Sequence, residues 1–202
     1  MKIQVLSAMY GRHEAVSLAL DSWYDEGLKC LMVVSTKKDR QFCINRQIDY
    51  IHAPNFPLSN KWQTGVNFLK EYSDADAFLI LGSDDMIKGS ENYKTYLLQG
   101  YEFIGITDIY VQDLKTGERI HWEGYTNHRR GESAGAGRCL SRSLMDKLDW
   151  LLWTGDINSG LDFCLTKRLE KVNYKSITIN SSMVEITDLK DKYSVTPFHR
   201  FK

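Results

Sequence analysis

The chain has 202 residues, with 26 Lys and Arg against 26 Asp and Glu, a formal net charge of zero, and 43% hydrophobic and 12% aromatic residues. This balance excludes a protein held to nucleic acid or to an anionic membrane by its overall field, although a local basic patch is compatible with it. With only three prolines, the composition also excludes a wholly disordered chain. At roughly 100–200 residues per domain, the length suits one core, and we expect a single domain over residues 1–202.

No stretch approaches the ~18–20 apolar residues needed to span a bilayer, and runs such as Ala77–Leu81 are strand-sized. Met1-Lys2-Ile3-Gln4-Val5-Leu6 lacks the long apolar region and small-residue cleavage site of a signal peptide, so a cytoplasmic protein without a membrane span is expected. Cys30, Cys43, Cys139 and Cys164 are too widely spaced for a zinc pattern and are expected as buried, reduced thiols.

Ile3–Met9 reads as a first strand, and a polar break at Tyr10-Gly11-Arg12-His13 follows it. From Glu14, the apolar positions Ala15, Leu18, Ala19 and Trp23 recur at three- and four-residue steps, which predicts a helix packed by one face. Cys30–Ser35 and Ile48–Ala53 read as buried strands, closed by the Pro54–Pro57 loop. Leu58–Tyr72 again has helical spacing, with Ser59 or Asn60 as the expected cap. Ala77–Leu81 is apolar at every position and suits a central strand covered on both faces. These elements make an α/β beginning.

In the second half, Phe103–Gln112 and Glu118–Gly124 flank Lys115-Thr116-Gly117, which predicts a hairpin. Gly131-Glu132-Ser133-Ala134-Gly135-Ala136-Gly137 is a loop with three glycines in seven residues. Ser143–Trp153 and Leu161–Val172 are predicted helices, and Lys175–Ile179 and Val184–Thr187 are late strands. There is no repeat or interdomain linker in this pattern, so both halves are expected to share one sheet.

The strongest chemical feature is Leu81-Gly82-Ser83-Asp84-Asp85-Met86. Adjacent carboxylates after a buried strand lie at the carboxyl edge of an α/β sheet, where ligands bind. Carboxylates there need a cation, and a divalent metal carrying a phosphate supplies one. A turn cap at Asp84 and a solvent-facing Asp85 are the plainer alternative.

Ser7-Ala8-Met9-Tyr10-Gly11-Arg12-His13-Glu14-Ala15-Val16, with Leu18-Ala19-Leu20-Asp21-Ser22-Trp23 after it, is similar to the strand, Tyr-Asn-Arg turn and helix that open GT-A glycosyltransferases. Leu81–Met86 resembles their metal-binding Asp-x-Asp region. Glu185-Ile186-Thr187-Asp188-Leu189-Lys190, with Pro197-Phe198-His199 beyond it, resembles the closing segment of related enzymes, where a His can complete the metal site. In order and pattern the chain most resembles the family 2 group of nucleotide-sugar transferases. It departs from them in having Gly11 for the usual Asn and Gly82 where many members place the first Asp. It also lacks the Asp that often follows the second strand, a place for which Asp39 is a candidate.

The resemblance implies a Rossmann-like α/β fold with a mixed central sheet flanked by helices. Residues 1–87 would form the nucleotide-sugar half and residues 100–202 the acceptor side. It further implies a UDP- or GDP-linked sugar donor, with Mn2+ or Mg2+ held by Asp84, Asp85 and His199 as Lewis acid on the diphosphate leaving group. A unit charge pair at 4 Å is worth about 4 kcal/mol at an effective dielectric of 20, so such an ion supplies a large part of the barrier reduction.

Tyr10, Arg12, Asp39, Lys61 and Ser83 are the candidate donor contacts. Arg12 follows a strand end, and Lys61 lies near a helix amino end that favours anions. Trp62 beside it suits the core. Glu132 and Arg138 are acceptor-side candidates in a glycine-rich stretch that lets backbone approach a sugar. Asp162 takes the place where related transferases carry an acidic pair, and is the candidate general base if the reaction inverts the anomeric centre; Asp156 and Glu132 are reserves. Its plainer role is to stabilise the helix dipole.

Two other readings stay open. A sugar-phosphate nucleotidyltransferase can share the architecture, but Ala8–Glu14 has one Gly and no Lys to cradle a triphosphate. A non-catalytic nucleotide-sugar or glycan-binding module is favoured by the absent acid at Gly82. Protein glycan, lipid-linked sugar, small molecule and modified nucleic acid all remain as acceptors, and a homo-oligomer is compatible with the sequence.

Overall fold

The computed structural model describes residues 1–201. In chain order they form β1 (Ile3–Met9), α1 (His13–Asp25), β2 (Lys29–Val34), α2 (Lys37–Asn45), β3 (Asp49–His52), α3 (Leu58–Tyr72), β4 (Ala77–Ile80), β5 (Asp85–Lys88) and α4 (Glu91–Leu98). The second half adds β6 (Phe103–Ile106), β7 (Ile109–Asp113), β8 (Arg119–Trp122), β9 (Arg138–Ser141), α5 (Arg142–Lys147), α6 (Leu161–Leu169), β10 (Ser176–Ile179) and β11 (Glu185–Lys190). Short 3-10 turns cover Asn127–Arg129 and Phe198–Phe201.

Seven strands form the main sheet in the order β10-β6-β9-β4-β1-β2-β3. Strands β1, β2, β3 and β4 pair parallel, whereas β9 runs antiparallel to both β4 and β6. Alternation along β1 and β2 sends Val5, Met9, Cys30, Met32 and Val34 to one face with α1, and Leu6, Leu31 and Val33 to the other with α3. Gly65 of α3 permits that second packing, because a Cβ there would stand 2.6 Å from Leu6 Cδ1 and 2.8 Å from Val33 Cγ2. The chain builds outward from β1 to β3 and then returns to the other side of β1 as β4. The sheet's topological switch point therefore lies between β1 and β4.

Several expectations are corrected. The two halves do share the main sheet, to which the second half contributes β6, β9 and β10, but it is not the only one: β5, β11, β7 and β8 form a separate four-stranded sheet, in that order. Phe103–Gln112 is broken at Thr107-Asp108, so that β6 stays in the main sheet while β7 pairs with β8 in the expected hairpin. Ile48–Ala53 contains an edge strand, not a buried one, since Asp49 and His52 are exposed. The helix expected to reach Trp153 stops at Lys147, because Asp149 and Trp150 take left-handed backbone with φ of 54° and 57°. Neither Ser59 nor Asn60 caps α3; its amino end is met from the 155–158 loop, where Asn158 Oδ1 accepts from Leu58 N and Ile157 O accepts from Ser59 N. All four cysteines are free, and Cys164 is only half-buried.

Candidate functional site

After β4 the chain turns through Leu81-Gly82-Ser83-Asp84 at the carboxyl edge beside the switch point, and Asp85 starts β5. Asp85 is anchored from two sides. Its Oδ2 accepts from Gly82 N at 2.6 Å, and its carbonyl accepts from the buried Trp23 indole at 2.7 Å. The antiparallel register of β5 and β11 sets Asp188 directly opposite Asp85. Asp84, Asp85 and Asp188 each thereby offer one carboxylate oxygen, all lying within 4.8 Å of one another.

Crowding three carboxylates is costly. Burial, and then the charges of Asp188 and Asp84, push the Asp85 carboxyl well above its usual range. Burial and Asp84 likewise carry Asp188 up to about 7, against the opposing pull of Lys190 and Arg12. Two cations offset part of the charge: Arg12 Nη1 pairs with Asp84 and Lys190 Nζ with Asp188, each at 2.5 Å. Asp188 Oδ1 is buried with no hydrogen-bond partner among the described residues. Three hard oxygen donors, an excess of negative charge and an orphaned carboxylate oxygen fit a divalent cation.

The carboxylates open on a cleft of about 520 Å³, whose lining includes Trp62, Tyr125, Arg138, Trp153, Asp162 and Lys190. Its dimensions suit a small molecule. A hollow of about 640 Å³ at the opposite edge of β1 and β2 is larger, but none of the three clustered carboxylates lines it.

The expected donor residues are only partly gathered here. Arg12 adopts φ 55° and holds three segments together, donating from Nη1 to Asp84, from Nε to Asp191 at 3.1 Å and from Nη2 to Leu189 O at 2.7 Å. Lys61 is buried, donating to Met9 O at 2.6 Å and Asn55 Oδ1 at 3.0 Å; burial lowers its ammonium to about 8, with Asp39 opposing. Tyr10 is exposed, with the Lys61 ammonium 5.9 Å from its ring centre. Ser83 is half-buried in the turn.

Asp39 is 1% exposed, and both its oxygens are engaged. Oδ1 meets Gly11 N at 3.0 Å and His13 Nε2 at 2.9 Å, while Oδ2 accepts from Thr36 N at the start of α2. Burial would raise this carboxyl, but these contacts outweigh it and hold it below its usual range. Asp39 therefore ties the β1–α1 turn to α2. His199 is exposed in the final 3-10 turn, outside the carboxylate group.

Among the residues expected to face an acceptor, Asp162 in the first turn of α6 accepts from the Tyr125 hydroxyl and from Arg129 Nη2. Burial pushes its carboxyl up, but those two donors prevail and leave it below the usual range. Glu132 accepts twice from Arg129. Arg138 is 1% exposed and donates to Ala134 O, Ser133 O and Asp162 O at 2.7–2.8 Å, fixing the glycine-rich loop to α6. Asp156 accepts from Asn60 Nδ2. Asp84, Asp85, Arg138 and Asp162 thus meet in one cleft, whereas Lys61 lies beneath the β1 edge. The sequence assigns no individual role to Asp188, Lys190, Tyr125 or Arg129, although Tyr125 and Arg129 fall within the Gly124–Glu132 stretch that it marks for the acceptor. Asp188 and Lys190 stand in the closing segment already noted, but their pairing needs the β5–β11 register.

The architecture is a GT-A-like α/β fold with a mixed central sheet flanked by helices. No protein-family model and no curated protein sequence matches the chain. Among solved structures it is similar to S. aureus TarS 1–349 in complex with UDP, at TM-score 0.67 and 13% identity, covering 94% of this chain and 60% of that one. It is also similar to GalNAc-T7 with UDP, GalNAc and Mn2+, at TM-score 0.59 and 9% identity, covering 98% and 45% of the two chains. A third neighbour is CMP:2-keto-3-deoxy-manno-octonic acid synthetase complexed with CTP, at TM-score 0.54 and 10% identity, covering 89% and 90%. The chain therefore spans less than two thirds of the TarS and GalNAc-T7 chains. Among the described residues, no helix is long and apolar enough to cross a membrane.

Proposed function

We propose that the chain transfers a sugar from a nucleotide-diphospho-sugar to an acceptor hydroxyl. The observation that carries this reading is the carboxylate group of Asp84, Asp85 and Asp188 at the switch point, opening on a cleft lined by Asp162. The neighbours that hold UDP, one of them with Mn2+, support it. Residues 1–87, joined by Asp188 of β11, hold the donor, and other parts of residues 100–201 close the acceptor side.

Asp84, Asp85 and Asp188 would hold Mn2+ or Mg2+, which when bound supplies Lewis-acid stabilisation of the departing diphosphate. The bond from the anomeric carbon to the diphosphate oxygen breaks, and its electron pair leaves with the nucleotide. The acceptor oxygen bonds to the same carbon, and its proton passes to the Asp162 carboxylate. The contacts from Tyr125 and Arg129 keep Asp162 ionised at neutral pH and hold it in place. His199 is not required for this donor set.

The test is turnover against a panel of UDP- and GDP-sugars with Mn2+, reading hydrolysis of the sugar nucleotide. Hydrolysis of one of them is expected, and Asp84→Asn should lower it at least ~100-fold, on the scale of losing a metal-site group. Near-wild-type turnover in that variant would remove the metal assignment. The CTP-bound neighbour, similar in length, keeps a nucleotidyltransferase as the second reading; pyrophosphate release from CTP or UTP with a sugar phosphate would select it.

A further inference from the structure

The two cations on the carboxylate group are held very differently. The Arg12 guanidinium has three partners, Asp84, Asp191 and Leu189 O, and sits on a left-handed residue. The Lys190 ammonium pairs, among the described residues, with Asp188 alone, with the Phe201 ring centre 5.6 Å away. Lys190 also lines the cleft with all three carboxylates, which Arg12 does not. Its four-carbon stem lets a compact charge swing between partners, whereas the Arg12 fork is committed to its own.

We propose that Lys190 is a resident counter-ion that exchanges partners. It neutralises Asp188 while the carboxylates hold no metal, and it binds the donor's diphosphate once a divalent cation occupies them. The inference rests on the donor reading above. A cation arriving at Asp188 competes with the ammonium and then repels it, and the diphosphate that follows offers the displaced charge a new partner. No covalent bond changes. Metal and nucleotide are thereby coupled through one side chain, and the coupling is reciprocal.

The experiment is calorimetric titration of Mn2+ into wild type, Lys190→Met and Lys190→Arg without nucleotide, and then of UDP at saturating Mn2+. Lys190→Met should bind Mn2+ roughly tenfold more tightly and UDP roughly tenfold more weakly, the scale of one charge-assisted contact. Lys190→Arg should keep both affinities within about threefold of wild type. A structural role for Lys190 would move both affinities the same way or neither, so Mn2+ bound no more tightly, or UDP bound as well as in wild type, overturns the exchange. If Lys190→Met fails to fold, Lys190→Gln carries the same two expectations. Wild type that binds both ligands while the variants show no opposed shifts sinks the exchange alone. Wild type that binds neither removes the donor reading along with it.

Discussion

Gly82 stands where the resembling enzymes often carry an acid, and its surroundings show why a side chain does not fit. A Cβ at this position would lie 2.8 Å from Asp85 Oδ2 and 2.9 Å from Asp84 Oδ1, so the two carboxylates would have to move. Gly82→Ala should therefore weaken Mn2+ binding roughly tenfold, in the range seen for groups that orient metal ligands. A Mn2+ titration beside a thermal melt checks this, and unchanged affinity would contradict it. Asp188→Asn should cost at least as much affinity, because it removes a ligand outright. The adjacent pair Asp84-Asp85 was legible in the sequence because a buried apolar strand runs straight into it. Asp188 was not, since its place depends on a non-local strand pairing. Lys61 was read as a donor contact, but its ammonium donates to Met9 O and Asn55. Burial lowers it to about 8 in the folded chain. Between about pH 8 and pH 10.5 the unfolded chain thus holds more protons at this group than the native one, and stability from this source rises with pH. Compared with Lys61→Met, wild type should gain roughly 3 kcal/mol across that window; denaturant melts at pH 7.5 and 10.5 measure the difference.

At the scale of elements, one buried side chain ties the glycine-rich loop to α6 beside the cleft. Arg138 at the start of β9 donates to two carbonyls of the glycine-rich loop and to the Asp162 carbonyl on α6. Arg138→Met would strand three acceptors and should destabilise the fold by roughly 3 kcal/mol or more in urea, at about 1 kcal/mol or more per unsatisfied group. Arg138→Lys cannot reproduce the planar fork and should recover only part of it. A variant within about 1 kcal/mol of wild type would mean that the loop is held by other contacts. The elements themselves were legible where period and punctuation agreed: α1 and α3 from their apolar stripes, β4 from its unbroken apolar run, and the β7–β8 hairpin from Lys115-Thr116-Gly117. The helix α2 escaped because only Asp39 and Cys43 of its residues are buried, leaving no stripe to read. Its signal was local: Thr36 and Asp39 form a reciprocal cap at its amino end. The helix expected over Ser143–Trp153 was overextended because Trp150, Leu152 and Trp153 are buried residues of a non-helical segment, which apolar spacing alone does not distinguish from a helix face.

Over the whole molecule, a net charge of zero conceals a concentrated imbalance: three carboxylates within 4.8 Å, met by two cations of which one lines the cleft. The second sheet creates this arrangement. By carrying β5 and β11 side by side, it sets Asp188 and Lys190 beside Asp85, at the edge where β4 of the main sheet runs out towards Asp84. Such a site should respond to its ligands jointly. On the proposed exchange, Mn2+ alone would have to displace Lys190, and a nucleoside diphosphate alone would meet carboxylates whose charge Arg12 and Lys190 only partly offset, so each should stabilise the protein little. Together they should stabilise it strongly. At a concentration 100 times its Kd, a ligand that binds only the folded state adds about 2.7 kcal/mol. For a domain of this size that corresponds to a rise in Tm of roughly 5–10 °C. UDP or GDP with Mn2+ should produce this shift, exceeding the sum of the two separate shifts, and Asp84→Asn and Asp188→Asn should abolish the excess. A full joint shift in Asp188→Asn would place the cation elsewhere, and purely additive shifts in wild type would mean that the metal and the diphosphate do not share this cleft.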